Sequence, residues 1–419
     1  MKKILVLSAS YGDGHNAAAR SVRDAIRVRD PLARAEVVDL FEIVHPSLNA
    51  LMKRGYQGLV RHAPGVWSNV YRFFDKPALF RPQIGSLKKL RNGLAALLAK
   101  EKPHAVVSTY PVYAHLITQL FPEPSKRSFR VYTVITDSIS VCAAWYLTQS
   151  DCFIVANEET AEVLRQEGVE PKTISTLGFP VSPVFAQGAA MEKDARRVSA
   201  RPKLLYVINT GKARTGRMLD GLLEPGHMEL TITTGRDEAL RARLNRHLRE
   251  YGHRVRILGW TDQMPQLLMN HDLLIAKAGG AMVQEAIAAR CPMIINQVIP
   301  GQEEGNARLI ESLEAGAVAS KRSRLADLVQ EAFANNGRVW QQWRDNLKRV
   351  SRPDSALRIA DLVLGKNSTM APALEAGSSS GRAVGGGVDP DVEPVELLRS
   401  AEDVVGGRLQ GAVPFQSRA

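Results

Sequence analysis

The segment Ala276-Lys277-Ala278-Gly279-Gly280-Ala281-Met282-Val283-Gln284-Glu285-Ala286, with Pro300-Gly301-Gln302-Glu303-Glu304-Gly305-Asn306 beyond it, holds residue types and spacings suited to chemistry. It reads as a strand end, a glycine turn and a helix start, then a second polar loop. Glycines let backbone N–H groups approach an anion, and a helix N-terminus adds partial positive charge. Glu285 falls one to two turns into that helix, where a carboxylate can accept hydrogen bonds from sugar hydroxyls. Gln302, Glu303 and Asn306 add donors and acceptors for a second polyol. The apolar run Pro292-Met293-Ile294-Ile295-Asn296 puts that loop at a strand's carboxyl end, where open parallel sheets bind ligands. Phosphate, ribose and another sugar in line outline a nucleotide-sugar. The bland alternative is that Gly279-Gly280 is only a tight turn of an α/β domain.

A second cluster lies near the N-terminus. Gly12-Asp13-Gly14-His15-Asn16-Ala17 matches G-x-G-x-x-A, and Asp39 closes the second strand where a dinucleotide fold places its ribose-binding acid. An NAD-type oxidoreductase is therefore a rival reading. His15 at the helix start would crowd a pyrophosphate, and it suits catalysis better. A neutral imidazole can take a proton from an acceptor hydroxyl, and the helix dipole favours the neutral ring. A structural or helix-capping histidine is the alternative. Asp137, in Val134-Ile135-Thr136-Asp137-Ser138, follows a strand of the same half. Whether it orients His15, acts as the base itself or caps a turn is open at this level.

The elements that must position these groups follow from periodicity. Strands are expected over Lys3 to Ser8, Glu36 to Leu40, Ala105 to Ser108, Val131 to Ile135 and Cys152 to Ala156, with helices over Asn16 to Arg29, Leu87 to Leu98 and Glu158 to Glu167. Gln187 to Pro202 is polar and reads as a boundary. The pattern restarts with strands Lys203 to Ile208, Leu230 to Thr234, Val255 to Leu258, Leu273 to Ile275 and Met293 to Asn296. Helices Asp237 to Tyr251, Met264 to Met269 and Val283 to Ala289 alternate with them, and Trp340 to Leu364 forms a closing helical region. This alternation specifies an α/β fold of two doubly wound, Rossmann-like halves facing a cleft. The expected division is 1–185, 186–365 and a low-complexity tail over 366–419. That tail carries Ser378-Ser379-Ser380 and Gly385-Gly386-Gly387 and reads as flexible, with a marginal short helix over 396–405. Its Asp389-Pro390-Asp391 is formally a DxD triplet and is read as chance.

Bulk properties bound the partners. The 419-residue chain is 45% hydrophobic and carries a formal charge of +12, which suggests an anionic partner. Its three cysteines, Cys142, Cys152 and Cys291, form no CxxC pair and suit a reducing, cytosolic setting. The apolar start is broken by Ser8 and Gly12, so no secretory signal is expected. No stretch reaches the ~18 apolar residues of a spanning helix, so membrane contact would be peripheral. Residues 45–102 hold eleven Lys/Arg against only Asp75 and Glu101, with Tyr56, Trp67, Tyr71, Phe73, Phe74 and Phe80 interleaved. Basic residues gain ~1 kcal/mol each near anionic headgroups, and aromatic rings favour the interface. This segment is expected to dock on an anionic phospholipid surface; a solvated basic face over core aromatics is the alternative. No nucleic-acid recognition motif is present, so no nucleic acid is expected as a partner.

Together, Ser8-Ala9-Ser10-Tyr11-Gly12-Asp13-Gly14-His15-Asn16-Ala17-Ala18-Ala19, Thr136-Asp137 with Trp145, Gly178-Phe179-Pro180-Val181, Lys277-Ala278-Gly279-Gly280 and Gly301-Gln302-Glu303-Glu304-Gly305-Asn306 resemble the monogalactosyldiacylglycerol synthase and processive diacylglycerol glucosyltransferase family. That family is related to the N-acetylglucosaminyltransferase of lipid II synthesis. The likeness spans roughly residues 1 to 365. It implies a GT-B fold and an inverting, metal-independent sugar transfer from UDP-glucose or UDP-galactose to diacylglycerol, with no cofactor, at the cytoplasmic face of the membrane. By the same resemblance, Thr210 and Gly211 approach the phosphates and the backbone at Leu258 meets uracil. Gly280, Ala281 and Met282 cradle the diphosphate, Glu285 binds ribose, and Gln302, Glu303 and Asn306 bind the hexose. His15 and Asp137 face the acceptor, with Gly14, Trp67, Phe73, Phe74 and Trp145 on the acceptor and membrane side. The loop after Ile208 departs from the family's glycine-serine-rich form and carries Lys212 and Arg214. A polyprenyl-linked acceptor, or a non-catalytic nucleotide-sugar-binding protein, would share this donor site. The choice of hexose, the number of sugars added and the oligomeric state are not encoded in these motifs.

Overall fold

A computed structural model describes residues 1–10, 13–47, 49–51, 54, 55, 58, 87–139, 141–191, 200–208, 216–223, 227–300, 303–319 and 324–366. Two six-stranded sheets organise them, and every strand pair in both is parallel. The first contains β1 (Lys3–Ser8), β2 (Arg34–Asp39), β3 (Ala105–Ser108), β4 (Arg130–Val134), β5 (Cys152–Val155) and β6 (Ile174–Thr176), in the order β2-β1-β3-β4-β5-β6. The second contains β7 (Lys203–Val207), β8 (Glu229–Thr233), β9 (Val255–Leu258), β10 (Leu273–Lys277), β11 (Met293–Gln297) and β12 (Gly316–Val318), in the order β12-β11-β10-β7-β8-β9.

The strands are short, nearly unbroken apolar runs because helices cover both faces of each sheet. Residues Ile4 to Ser8 are all buried, as are Leu273 to Ala276. Strand order reverses between β1 and β3 in the first sheet and between β7 and β10 in the second. Crevices open at such switch points beyond the strands' carboxyl ends. His15 lies beyond β1, and Gly279-Gly280 lies beyond β10.

Several elements escape the periodicity reading. The helix Pro111–Leu120 buries Val112 through Ile117 consecutively, so it has no polar stripe to reveal a helical period. β6 and β12 are three-residue edge strands, too short for alternation to register. The second strand is displaced toward the N-terminus, and the helix expected to reach Tyr251 ends at His247, before a 3-10 segment in which Gly252 has φ 55°. The closing region is two helices, Leu325–Val350 and Ser355–Val363. The first is interrupted at Ala334–Gly337, where Asn335, Asn336 and Gly337 take left-handed φ.

The helix Ser355–Val363 returns to the first sheet. Ala356, Ile359, Ala360 and Val363 share a buried cluster with Ile4, Val6, Val22, Ile26 and Val107. The chain therefore crosses between sheets twice, and the crossings lie side by side. Ser355 Oγ donates to the Phe179 carbonyl at 2.5 Å, and the Arg352 guanidinium donates to the Thr176 carbonyl. Gly178 lies between them with φ +95°; a Cβ there would stand 2.9 Å from Ser355 Cβ and 3.2 Å from Arg352 Cβ. The Gly178-Phe179-Pro180-Val181 motif is thus a docking seam for the returning chain. Gly178→Ala combines a strained φ with a clash against two Cβ atoms and should cost about 2 kcal/mol or more of unfolding free energy. Urea denaturation checks this, with Gly168→Ala as the comparison, since φ is also positive there but nothing lies within 4 Å of the added carbon.

Candidate functional site

The loop between β1 and the opening helix, Asp13–Arg29, is fixed by a chain of short polar groups. Ser8 Oγ donates to Asn16 Oδ1 at 2.7 Å, and Asn16 Nδ2 donates to Ser10 Oγ at 3.1 Å. The Ser10 amide and hydroxyl both donate to Asp39 Oδ2, at 3.0 and 2.7 Å, while Asp39 Oδ1 accepts the Glu42 amide at 3.3 Å. Asp39 therefore holds the loop and caps the short helix Leu40–Val44, which is a different task from gripping the ribose of a dinucleotide. The G-x-G-x-x-A match loses its acidic partner.

His15 is set by this arrangement at the mouth of the first crevice. Its Nδ1 lies 2.8 Å from Thr136 Oγ1, and its main-chain carbonyl accepts from Thr109 Oγ1 at 3.1 Å. The Tyr110 ring meets it edge-on at 5.1 Å, and Trp145 is tilted against it at 6.0 Å. Burial against these rings pushes the imidazole pKa down to about 4, partly offset by a hydrogen bond to the Thr109 backbone. His15 is neutral at pH 7. Asp137 Oδ2 accepts the Trp145 indole N–H at 2.7 Å. Trp145, expected on the acceptor face, is 1% exposed and supports Asp137 from within the core, beside Ile135 and Phe153.

On the second half, Gly279 is the extended residue before the helix Gly280–Ala288. That helix start faces the first half closely. A Cβ at Gly280 would lie 3.7 Å from the Thr136 carbonyl and 3.6 Å from Asn306 Nδ2, and one at Gly14 would lie 3.9 Å from the Ala281 amide nitrogen. Gln284 Nε2 donates to Ser138 Oγ at 3.1 Å across the cleft. Ala281 and Met282 are half-buried on this helix's first turn. Glu285, one turn on, has its carboxyl pKa raised to about 7 by burial, with the Arg20 guanidinium pulling it partly back. The Leu258 carbonyl accepts the Thr234 amide at 3.0 Å, and beyond it Trp260 projects 64% exposed, with the Arg236 guanidinium 5.7 Å from its ring centre.

Glu303 and Asn306 are 4% and 7% exposed. Glu303 Oε1 accepts from Lys277 Nζ at 2.6 Å and Oε2 from the Ile299 amide at 3.1 Å. Asn306 Nδ2 donates to the Ala278 carbonyl at 3.0 Å. The structure thus gathers His15, Asp137, Gly14, Gly280, Ala281 and Glu285 around one cleft. Thr210, Gly211, Gln302, Trp67, Phe73 and Phe74 lie outside the described residues, as do Lys212, Arg214 and Asp389-Pro390-Asp391. Sequence reasoning overlooked Tyr110, whose only signal is its place beyond β3 at the switch point, and gave Thr136 no role of its own.

Comparison with known proteins agrees with this layout. Residues 15–181 match the monogalactosyldiacylglycerol (MGDG) synthase family, and residues 212–348 match the glycosyltransferase family 28 C-terminal domain. The chain is 26% identical over 377 residues to a processive diacylglycerol beta-glucosyltransferase of Bacillus cytotoxicus, covering 87% of this chain and 94% of the relative. It is 23% identical over 381 residues to the protein of the same name in Bacillus subtilis strain 168, covering 88% and 96%. Among solved structures, the S. aureus MnaA–UDP complex superposes with a TM-score of 0.57 at 10% identity, covering 89% of this chain and 99% of that one. Acinetobacter baumannii MurG gives 0.52 at 12% identity, covering 87% and 100%. The fold is GT-B.

His15 and Glu285 give the site opposed pH responses. His15 has a folded pKa of about 4, below the ordinary imidazole value of 6.5, so the unfolded chain binds more protons between the two and the contribution of His15 to stability falls on acidification. Glu285 has a folded pKa raised to about 7 from the ordinary carboxyl value of 4.5, so its contribution to stability is full below 4.5 and fades as pH rises through about 7. Relative to wild type, His15→Gln should gain melting temperature as pH falls from 7 to 5, and Glu285→Gln should lose it. Thermal unfolding across that range measures both differences.

Proposed function

We propose that this chain, which joins a monogalactosyldiacylglycerol synthase domain to a glycosyltransferase family 28 C-terminal domain, is an inverting glycosyltransferase that moves a hexose from a UDP-sugar to diacylglycerol, giving a β-glycosyl-diacylglycerol. The observation that carries this is the convergence of two glycine-led helix starts, at Gly14 and Gly280, beside a neutral histidine. Backbone amides and helix dipoles at such a point suit a diphosphate leaving group, with no divalent ion required. The names of the relatives favour diacylglycerol as acceptor and glucose as the sugar, with galactose the other candidate.

The acceptor hydroxyl oxygen attacks the anomeric carbon from the face opposite the UDP. The bond from that carbon to the diphosphate oxygen breaks, and UDP departs with its electron pair. His15 takes the hydroxyl proton. Thr136 occupies Nδ1, so Nε2 is the nitrogen left for this task. Asp137, held by Trp145 and next in sequence to the Thr136 that meets His15, stabilises the resulting charge on this reading. Glu285 receives the ribose and Gln302 the hexose. The two halves already meet through Gln284 and Ser138, and closure of this kind serves to keep water from a reacting centre.

Acceptor access requires a membrane surface, reached peripherally through residues 45–102. Among the described residues no helix is long and apolar enough to cross a membrane. At the described edge of that basic segment, Ile43 and Leu51 are 65% and 66% exposed, as suits insertion among headgroups.

Purified protein given labelled UDP-glucose or UDP-galactose with mixed lipids should yield a diacylglycerol glycolipid, and EDTA should leave the rate unchanged. A prenyl glycolipid, or tight binding without product, would instead mark one of the two rival readings. His15→Ala should lower turnover about 10²-fold or more while UDP affinity in calorimetry stays near wild type. Binding to anionic vesicles should weaken with salt and exceed binding to neutral ones in co-sedimentation.

A further inference from the structure

The most tightly enclosed charged pair at the cleft is Lys277 with Glu303. The lysine ends β10, directly before the glycine turn, and the glutamate precedes the helix Glu304–Ser312. Their side chains are 26% and 5% exposed, with Nζ to Oε1 at 2.6 Å. The second carboxylate oxygen accepts the Ile299 amide, so both oxygens of Glu303 have partners inside the protein. The pair sits against the turn itself: a Cβ at Gly279 would lie 3.7 Å from Lys277 Nζ and 3.9 Å from Glu303 Oε1. A second tie, Asn306 Nδ2 to the Ala278 carbonyl, runs from the first turn of the helix Glu304–Ser312 to the residue before the glycine turn.

We infer that Glu303 and Lys277 are positioning residues for the nucleotide, tying the Gly279-Gly280 turn to the start of the helix Glu304–Ser312. The ammonium and the backbone amide take two of the roughly four acceptor positions of the carboxylate and fix its place beside the turn. The turn needs rigid support. Its amides bind a diphosphate only if they are aimed before the ligand arrives, and a displaced loop loses part of every phosphate contact at once. The inference rests on the reading of this cleft as a UDP-sugar site.

The test compares UDP with UDP-glucose by calorimetry. For Glu303→Gln, both ligands should weaken by the same factor, about tenfold. Lys277→Met should reproduce that loss, and the double variant should lose no more than either single one, as expected of two groups acting as one unit. A Glu303→Gln protein that binds UDP as wild type does but loses affinity for UDP-glucose would make Glu303 a sugar ligand and overturn the inference. Should Glu303→Gln not fold, Lys277→Met decides alone: unchanged UDP affinity overturns the inference, and parallel loss of both ligands supports it. Wild-type protein that fails to bind UDP would instead remove the reading of the site, a separate outcome from either of these.

Discussion

Two helix starts brought face to face constrain everything else in this molecule. Each carries roughly half a positive elementary charge from unpaired amides, so bringing Gly14 near Ala281 opposes like partial charges. A Cβ at 14 or 280 would already stand at contact distance from the opposing half, 3.9 and 3.7 Å, so any longer side chain there would fill the space between the two starts. A doubly charged anion between them, such as the proposed leaving group, would turn the repulsion into attraction. The rest of the architecture serves to hold these two ends in register: two sheets with switch points facing each other, and a short segment, Thr136 to Ser138, threaded between them.

The supports differ in kind on the two sides. The first crevice is held by neutral hydroxyls and an amide, through Ser8, Ser10 and Asn16, anchored on one carboxylate, Asp39. The ring of His15 packs among aromatic neighbours and so stays uncharged. The second crevice uses a charged pair, Lys277 with Glu303, beneath the glycine turn. Buried pairs of this sort contribute little net stability, because desolvation offsets their attraction, but they punish misalignment. The proposed base and the proposed anion cradle are thus given different surroundings.

Much of this was legible in the sequence. Strands buried on both faces announce themselves as apolar runs, and glycine turns mark where strand gives way to helix, so both halves and the places of His15 and Gly280 follow from pattern alone. What pattern could not supply was partnership. Thr136 lies 121 positions from His15, and only folding reveals that it, the neighbour of Asp137, meets Nδ1. Glu303 and Asn306 carry the right atoms for a sugar, but local order does not say that Lys277, Ile299 and Ala278 already engage them. Trp145 has the amphipathic ring of an interfacial residue, yet the fold places it in the core.

The return of the helix Ser355–Val363 to the first sheet has a consequence for biogenesis. The core around Ile4 and Val22 is completed by residues that leave the ribosome only after the whole second half has been made. Domains built of one continuous stretch fold as they emerge. Here the early half must wait, its apolar face uncovered, until the late helix arrives. The order in which the chain is written therefore leaves that face without its cover for the whole synthesis of the second half.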